Sequence, residues 1–192
     1  MPTVIVATGN PGKLKEMQVY LDDLGWQLQL KPEDLDIDET GATFLENARL
    51  KAAGVAKALG QWAIADDSGL AVNALGGAPG IYSARYADSD RARIDRLLGE
   101  LAGCSDRSAQ FVCALALANP QGDIVVETEG LCPGEILPEP RGSGGFGYDP
   151  IFYVPDLGKS FAEMLPQQKE AVSHRGVAFG QLMPHLKALT LG

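Results

Sequence analysis

Residues 3–7 (TVIVA) form an unbroken apolar, β-branched run, the pattern of a strand buried on both faces of a sheet. The run leads into Thr8-Gly9-Asn10-Pro11-Gly12-Lys13, after which Leu14, Met17, Leu21 and Leu24 recur at helical spacing. Strand, glycine-rich loop and helix together open an α/β unit. Residues 30–41 read as a polar, acidic connector. Thr43 followed by Glu46 predicts a capped helix start, and that helix is expected to reach about Leu59. Its apolar stripe is Phe44, Leu45, Ala48, Ala52, Val55, Ala56 and Leu59, with Asn47 and Lys51 together along one edge.

Farther along, residues 63–65 read as a short buried strand that ends in Asp66-Asp67-Ser68-Gly69. Residues 75–80 are turn-rich, and 91–101 predict an amphipathic helix with Ile94, Leu97, Leu98 and Leu101 inward. Two strand-like runs, 110–118 and 124–129, flank Asn119-Pro120-Gln121-Gly122-Asp123 and suit a hairpin. A Pro/Gly-rich stretch over 133–150 precedes a strand at 151–154. A last helix is expected from about Arg175 to Leu189, capped by Ser173. No repeat, low-complexity tract or separating linker is visible, so residues 1–192 are expected to form one domain. A parallel opening combined with a central hairpin implies an α/β fold with a mixed sheet covered by helices.

Composition narrows the function. The 192 residues are 45% apolar and 21% charged, a globular balance rather than a disordered one. Twenty-five acidic against 16 basic residues leave a net charge of −9. A duplex binder carries the opposite balance, because neutralising phosphates supplies most of its affinity. Polymeric nucleic acid is thus disfavoured as a partner, while a small anion held in one basic pocket is not. Cys104, Cys113 and Cys132 include no C-x-x-C pair, and two histidines, His174 and His185, form no H-E-x-x-H motif. The longest apolar run, 111–118, is too short for a membrane span, and the start has no basic n-region. The expectation is a soluble, cytoplasmic protein with no membrane partner.

Several segments carry candidate chemistry. In T-G-N-P-G-K, Gly9 and Gly12 let backbone N–H groups approach an anion, the helix start favours negative charge, and Lys13 adds a cation. The spacing is not that of a Walker A loop, and the segment reads equally as an ordinary tight turn. Asp66 and Asp67, at the end of a buried strand, stand where open α/β sheets place ligands. Consecutive strand side chains face opposite ways, so one acid can enter a cleft while the other braces the loop. An Asx turn with Asp67 capping Gly69 is the plainer alternative. Glu39 can complete an oxygen site for Mg²⁺ or remain a solvated acid. Lys51 reads equally as a snorkelling surface lysine. G-S-G-G-F-G over 142–147 matches G-x-G-x-x-G, yet Tyr148-Asp149-Pro150 follows instead of a helix, so the dinucleotide reading fails. Phe146 and Tyr148 can stack on a planar base, with Asp149 as acceptor, or simply pack together. Ser173-His174-Arg175 opens the last helix and offers cations to an acceptor or anion. His185 is expected in the core or at an interface.

Six blocks in order resemble one family: T-G-N-x-G-K at 8–13, E-T-G-x-T-F-x-E-N-A at 39–48, A-D-D-S-G-L at 65–70, G-G-A-P-G-I-Y-S-A-R-Y at 76–86, G-G-F-G-Y-D-P-I-F at 144–152 and K-x-A-x-S-H-R-G at 169–176. The chain resembles the inosine-triphosphatase family of noncanonical purine nucleoside-triphosphate pyrophosphatases (dITP/XTP pyrophosphatases). The resemblance implies a two-lobed α/β fold with a long central sheet, a nucleotide cleft between lobes and a homodimer. It also implies Mg²⁺-dependent hydrolysis of ITP, dITP and XTP to the monophosphate and pyrophosphate. By the resemblance, Thr8, Asn10, Lys13, Lys51 and Ser68 face phosphates, with Lys13 and Lys51 assisting catalysis. Glu39 and Asp67 are the metal acids, and Asp67 is the proton acceptor. Phe146, Gly147, Tyr148, Asp149, Lys169, His174 and Arg175 form the nucleoside pocket. A pyrophosphatase of similar fold with another base preference, or a catalytically silent nucleotide-binding protein, are the alternatives.

Overall fold

The structure, a computed structural model, describes residues 2–189. The elements in chain order are β1 (Thr3–Val6), α1 (Pro11–Leu21), β2 (Gln27–Leu30), α2 (Phe44–Leu59), β3 (Trp62–Val72), α3 (Asp90–Glu100), β4 (Ser108–Ala118), β5 (Ile124–Ile136), β6 (Phe152–Val154), β7 (Lys159–Ser160), α4 (Pro166–Val172) and α5 (His174–Ala188). The strands form one mixed sheet in the order β2-β1-β3-β4-β5-β6-β7. β1 pairs in parallel with β2 and β3, whereas β5–β6 and β6–β7 are antiparallel. The chain divides into two compact units. The first contains the residues up to Asp67, Cys113–Gly130 and those from Val177 on; the second contains Ser68–Val112 and Leu131–Gly176.

In the first unit, both sheet faces are covered, as the unbroken apolar run of β1 requires. On one face Val4, Val6, Ile64, Leu115 and Leu117 pack with Met17 and Leu21 of α1 and Phe179, Leu182 and Leu186 of α5. The Tyr20 and Phe179 rings stack at 4.5 Å. On the other face Ile5, Ala63, Ala65, Ala114, Ala116 and Ala118 meet Ala48, Ala52, Val55 and Ala56 of α2. Alanine on both sides leaves little side-chain bulk between that helix and the strands. Thr43 caps α2 through a bond from the Glu46 N–H, and Gly60 closes it in the left-handed conformation. In the second unit Leu70, Val72, Leu97, Leu101, Phe111, Ile136, Phe152 and Phe161 lead the core.

Three sequence expectations change. The strand expected over 63–65 continues to Val72, straight through Asp66-Asp67-Ser68-Gly69, so Asp67 closes no Asx turn. The edge strand β2 was not expected: it fills the gap between the helix positions ending at Leu24 and the connector, takes only Leu30 from the latter, and its QLQL residues are mostly exposed. His185 is exposed and not in the core, whereas its neighbours on α5, Leu182 and Leu186, are buried. No helix among the described residues is long and apolar enough to cross a membrane, and no disulfide joins the three cysteines.

Candidate active site

In the first unit the site is built from the alternation of β3. Asp66 shares a face with Ile64, on the side that packs against α1, and its carboxylate pairs with Lys13 of α1 at 3.1 Å. Asp67 shares a face with Ala63 and Ala65, on the α2 side, and its Oδ1 accepts a hydrogen bond from Lys51 of α2 at 3.0 Å. Lys51 also reaches Glu39 at 3.1 Å. Two adjacent acids thus engage two lysines on opposite faces of the sheet, and a third acid closes the group.

This charge balance governs protonation. Burial works against the charge of Lys51, yet Asp66, Asp67 and Glu39 around it raise its pKa above the ordinary lysine value. Burial pushes the Asp67 carboxyl up to about 6. Lys51 and Lys13 oppose that rise, and Glu39 adds to it. The second oxygen of Asp67, Oδ2, is buried and makes no hydrogen bond. Among the described residues no three His, Cys, Asp or Glu side chains form an all-protein metal cage; Glu39 and Asp67 meet as a pair at Lys51.

The T-G-N-P-G-K turn is shaped by its own side chains. The Thr8 hydroxyl accepts the Asn10 N–H at 3.1 Å, and Asn10 accepts the Gly12 N–H at 2.8 Å as the cap of α1. Pro11 occupies the first helical turn, where no N–H is needed. On α2, fully buried Asn47 accepts the Gly41 N–H at 2.8 Å and so anchors the connector that carries Glu39. That anchoring role has a sequence signal only in Asn47's place beside Lys51 on the helix edge.

In the second unit the nucleoside candidates gather around Phe161. Lys169 lies 5.6 Å from the Phe161 ring and 5.0 Å from the Phe146 ring, and it donates to Asp149 Oδ2 at 2.7 Å. His174 stacks on Phe111 at 4.6 Å and lies parallel to Phe161 at 6.2 Å. Ser173 ends α4 through its N–H to Lys169 and starts α5 by accepting the Gly176 N–H at 3.1 Å. That double role sets Lys169, His174 and Arg175 at one helix–helix junction. Arg175, 2% exposed, donates to Ser68 Oγ at 3.0 Å. The structure therefore joins two residues that the sequence reading placed at opposite ends of a nucleotide.

The loop carrying Phe146 turns sharply at Gly145 and Gly147, with φ of 70° and 60°. The Phe146 N–H donates to Asp149 at 3.0 Å, the Gly147 N–H to Asp90 at 2.8 Å, and the Tyr148 hydroxyl to the Ser83 carbonyl at 2.8 Å. Tyr148 is buried, which raises its pKa, while Phe146 remains 36% exposed. Asp90 and Ser83 have no local sequence signal for this role, because each reaches the loop from a distant segment.

Comparison with known proteins agrees over nearly the full length. The Ham1 family model matches residues 4–185. A dITP/XTP pyrophosphatase of Synechocystis sp. is 62% identical over 183 residues, 95% of this chain and 94% of that protein. A dITP/XTP pyrophosphatase of Nostoc sp. is 60% identical over 186 residues, 97% and 95% of the respective chains. Among solved structures, a HAM1 protein from Coxiella burnetii superposes with a TM-score of 0.90 at 46% identity, covering 98% of this chain and all of that one. The Staphylococcus aureus Ham1 protein gives 0.87 at 44% identity, with 97% and 98% covered. With the family model matched over residues 4–185 and relatives and solved structures of 44–62% identity covering nearly all of it, the chain belongs to the Ham1 family.

Proposed function

We propose that the chain hydrolyses noncanonical purine nucleoside triphosphates, dITP, XTP and ITP, to the monophosphate and pyrophosphate. The observation that carries this reading is the cluster of Lys13, Asp66, Lys51, Asp67 and Glu39 behind the T-G-N-P-G-K turn. Two ammonium groups and a helix start are suited to a polyphosphate. The three carboxylates outnumber the lysines, so the cluster needs a further cation before a triphosphate can approach.

The residues fit Mg²⁺ in that role. Mg²⁺ takes one or two protein carboxylates and draws its remaining oxygens from phosphates and water. Glu39 and the unbonded Asp67 Oδ2 would hold it. Bound there, the ion would draw charge off the phosphates and make pyrophosphate a better leaving group. Lys13 and Lys51 neutralise charge that builds on the phosphate oxygens, and the backbone of residues 9–12 supports the chain of phosphates. Asp67 accepts a proton from the water that attacks the α-phosphorus. The new bond is P–OH; the bond that breaks joins the α-phosphorus to the bridging oxygen, which leaves with pyrophosphate. A carboxyl raised to about 6 is a stronger base than an ordinary aspartate and still ionised at neutral pH.

Phe146 and Tyr148 would flank the base, with donors on Lys169, His174 and Arg175 for the 6-oxo group of hypoxanthine or xanthine. Adenine presents an amino donor at that position and would leave both sides unpaired. The same reading takes residues 1–192 as one two-lobed domain, working as a homodimer on free nucleotides in the cytoplasm. Pyrophosphate release from ITP, XTP, dITP, ATP, GTP and dTTP with Mg²⁺ tests it. Preferential release from the first three is expected. Equal release from dTTP would indicate another base preference, and nucleotide binding without release would indicate a silent binding protein.

A further inference from the structure

Asp90 reaches the 142–149 loop from α3, and the mechanism above gives it no role. Its two oxygens serve two donors: Oδ2 accepts the Gly147 N–H at 2.8 Å, and Oδ1 accepts from Arg93 at 2.6 Å. Arg93 also donates to the Ala84 carbonyl at 2.5 Å, one residue from Ser83, whose carbonyl receives the Tyr148 hydroxyl. A cavity of about 490 Å³ adjoins this contact, lined among others by Ile94, Pro140, Ser143 and Phe146. Tyr148 joins the core that α3 supplies through Ile94 and Leu97, whereas on the cavity side the bond from Gly147 to Asp90 is what ties the loop to the helix. The loop needs such a tie, because its glycines leave the backbone many conformations to choose from. A Cβ at Gly145 would fall 1.9 Å from Asp149 Oδ2, so that glycine cannot be exchanged for a stiffer residue.

We propose that Asp90 is a positioning residue for the base subsite: by holding the Gly147 N–H it fixes the 146–147 peptide and aims the Phe146 ring. This rests on the reading that Phe146 and Tyr148 flank the purine. A charge-assisted bond from a backbone N–H, formed at a half-exposed carboxylate, is a moderate restraint. Its loss should weaken substrate capture more than the chemical step.

Three variants test the assignment. Asp90→Ala removes the acceptor, Asp90→Asn keeps an oxygen for Gly147, and Ser89→Ala removes the N-cap of α3 without touching the loop. Asp90→Ala should raise KM for ITP about five-fold, leave kcat within about two-fold, and speed amide exchange across 143–149. Asp90→Asn should restore most of the KM. Ser89→Ala should lower the Tm while leaving KM and loop exchange unchanged. Unchanged KM and exchange in Asp90→Ala would overturn the proposal, as would an equal rise in KM from Ser89→Ala. Wild-type protein that leaves ITP intact would overturn the substrate reading alone; loop exchange in the variants would still decide the role of Asp90.

Discussion

Burial lifts the Asp67 carboxyl to about 6, so at neutral pH the fold carries a charge that it holds more easily as a protonated acid. In the unfolded chain this group titrates near 3.8. Its contribution to stability is therefore fully present below pH 3.8 and is lost as pH rises through 6. Asp67→Asn removes that loss. In EDTA, the variant should be more stable than wild type at pH 8, by on the order of 2 kcal/mol, with the difference vanishing near pH 4. Its turnover of ITP should fall to background while nucleotide binding persists; undiminished turnover would remove Asp67 from the chemistry. For the wild-type enzyme, kcat/KM should decline at acid pH as this base takes up its proton, at a pH below the metal-free value of about 6 because Mg²⁺ on Oδ2 favours the carboxylate. Arg175→Ala should narrow the preference for ITP over ATP, measured as the ratio of kcat/KM. An equal loss for both nucleotides would assign the guanidinium to general positioning, in keeping with its bond to Ser68.

Among the elements, α2 joins two tasks that substitution can separate. Thr43 caps the helix, and Asn47 one turn later anchors the Glu39 connector. Thr43→Ala should cost about 1 kcal/mol, a Tm drop of about 2–4 °C, with the Mg²⁺ requirement unaltered. Asn47→Ala should raise the Mg²⁺ concentration needed for half-maximal pyrophosphate release, because Glu39 loses its hold. This helix was fully legible in the sequence: Thr43, Glu46 and the alanine-rich stripe fixed its start, length and buried face. β3 was legible only to Ala65, since two carboxylates and a glycine mimic a loop. They sit in a strand because each acid meets a lysine from a different helix, information that no local window contains. β2 and α4 escaped for another reason. A four-residue, mostly exposed edge strand and a seven-residue helix have too few buried positions to set a period. The phosphate-side candidates were legible as motifs, whereas Asp90, Asn47 and the Ser68–Arg175 bond required the folded chain.

At the scale of the whole molecule, a net charge of −9 coexists with a local group whose lysines are outnumbered by one acid. Binding should therefore depend on the cation more than on the overall charge. In the wild-type protein, an α,β-methylene analogue of ITP, which binds without turnover, should raise the Tm by about 5–10 °C when present with Mg²⁺ at a hundred times its Kd. The analogue in EDTA should give a much smaller rise; equal shifts would argue against a bridging cation. The adjacency of Asp66 and Asp67 has a further consequence for how this chain can change over time. Substitution at one position alters one side of the sheet and leaves the other side's lysine paired. A single-residue insertion between Trp62 and Ala65 would instead set Ala65 opposite Lys13 and turn Asp66 toward Lys51. The stretch from Trp62 to Asp67 can thus vary in composition far more readily than in length, and insertions in this lineage should fall in the turns around it.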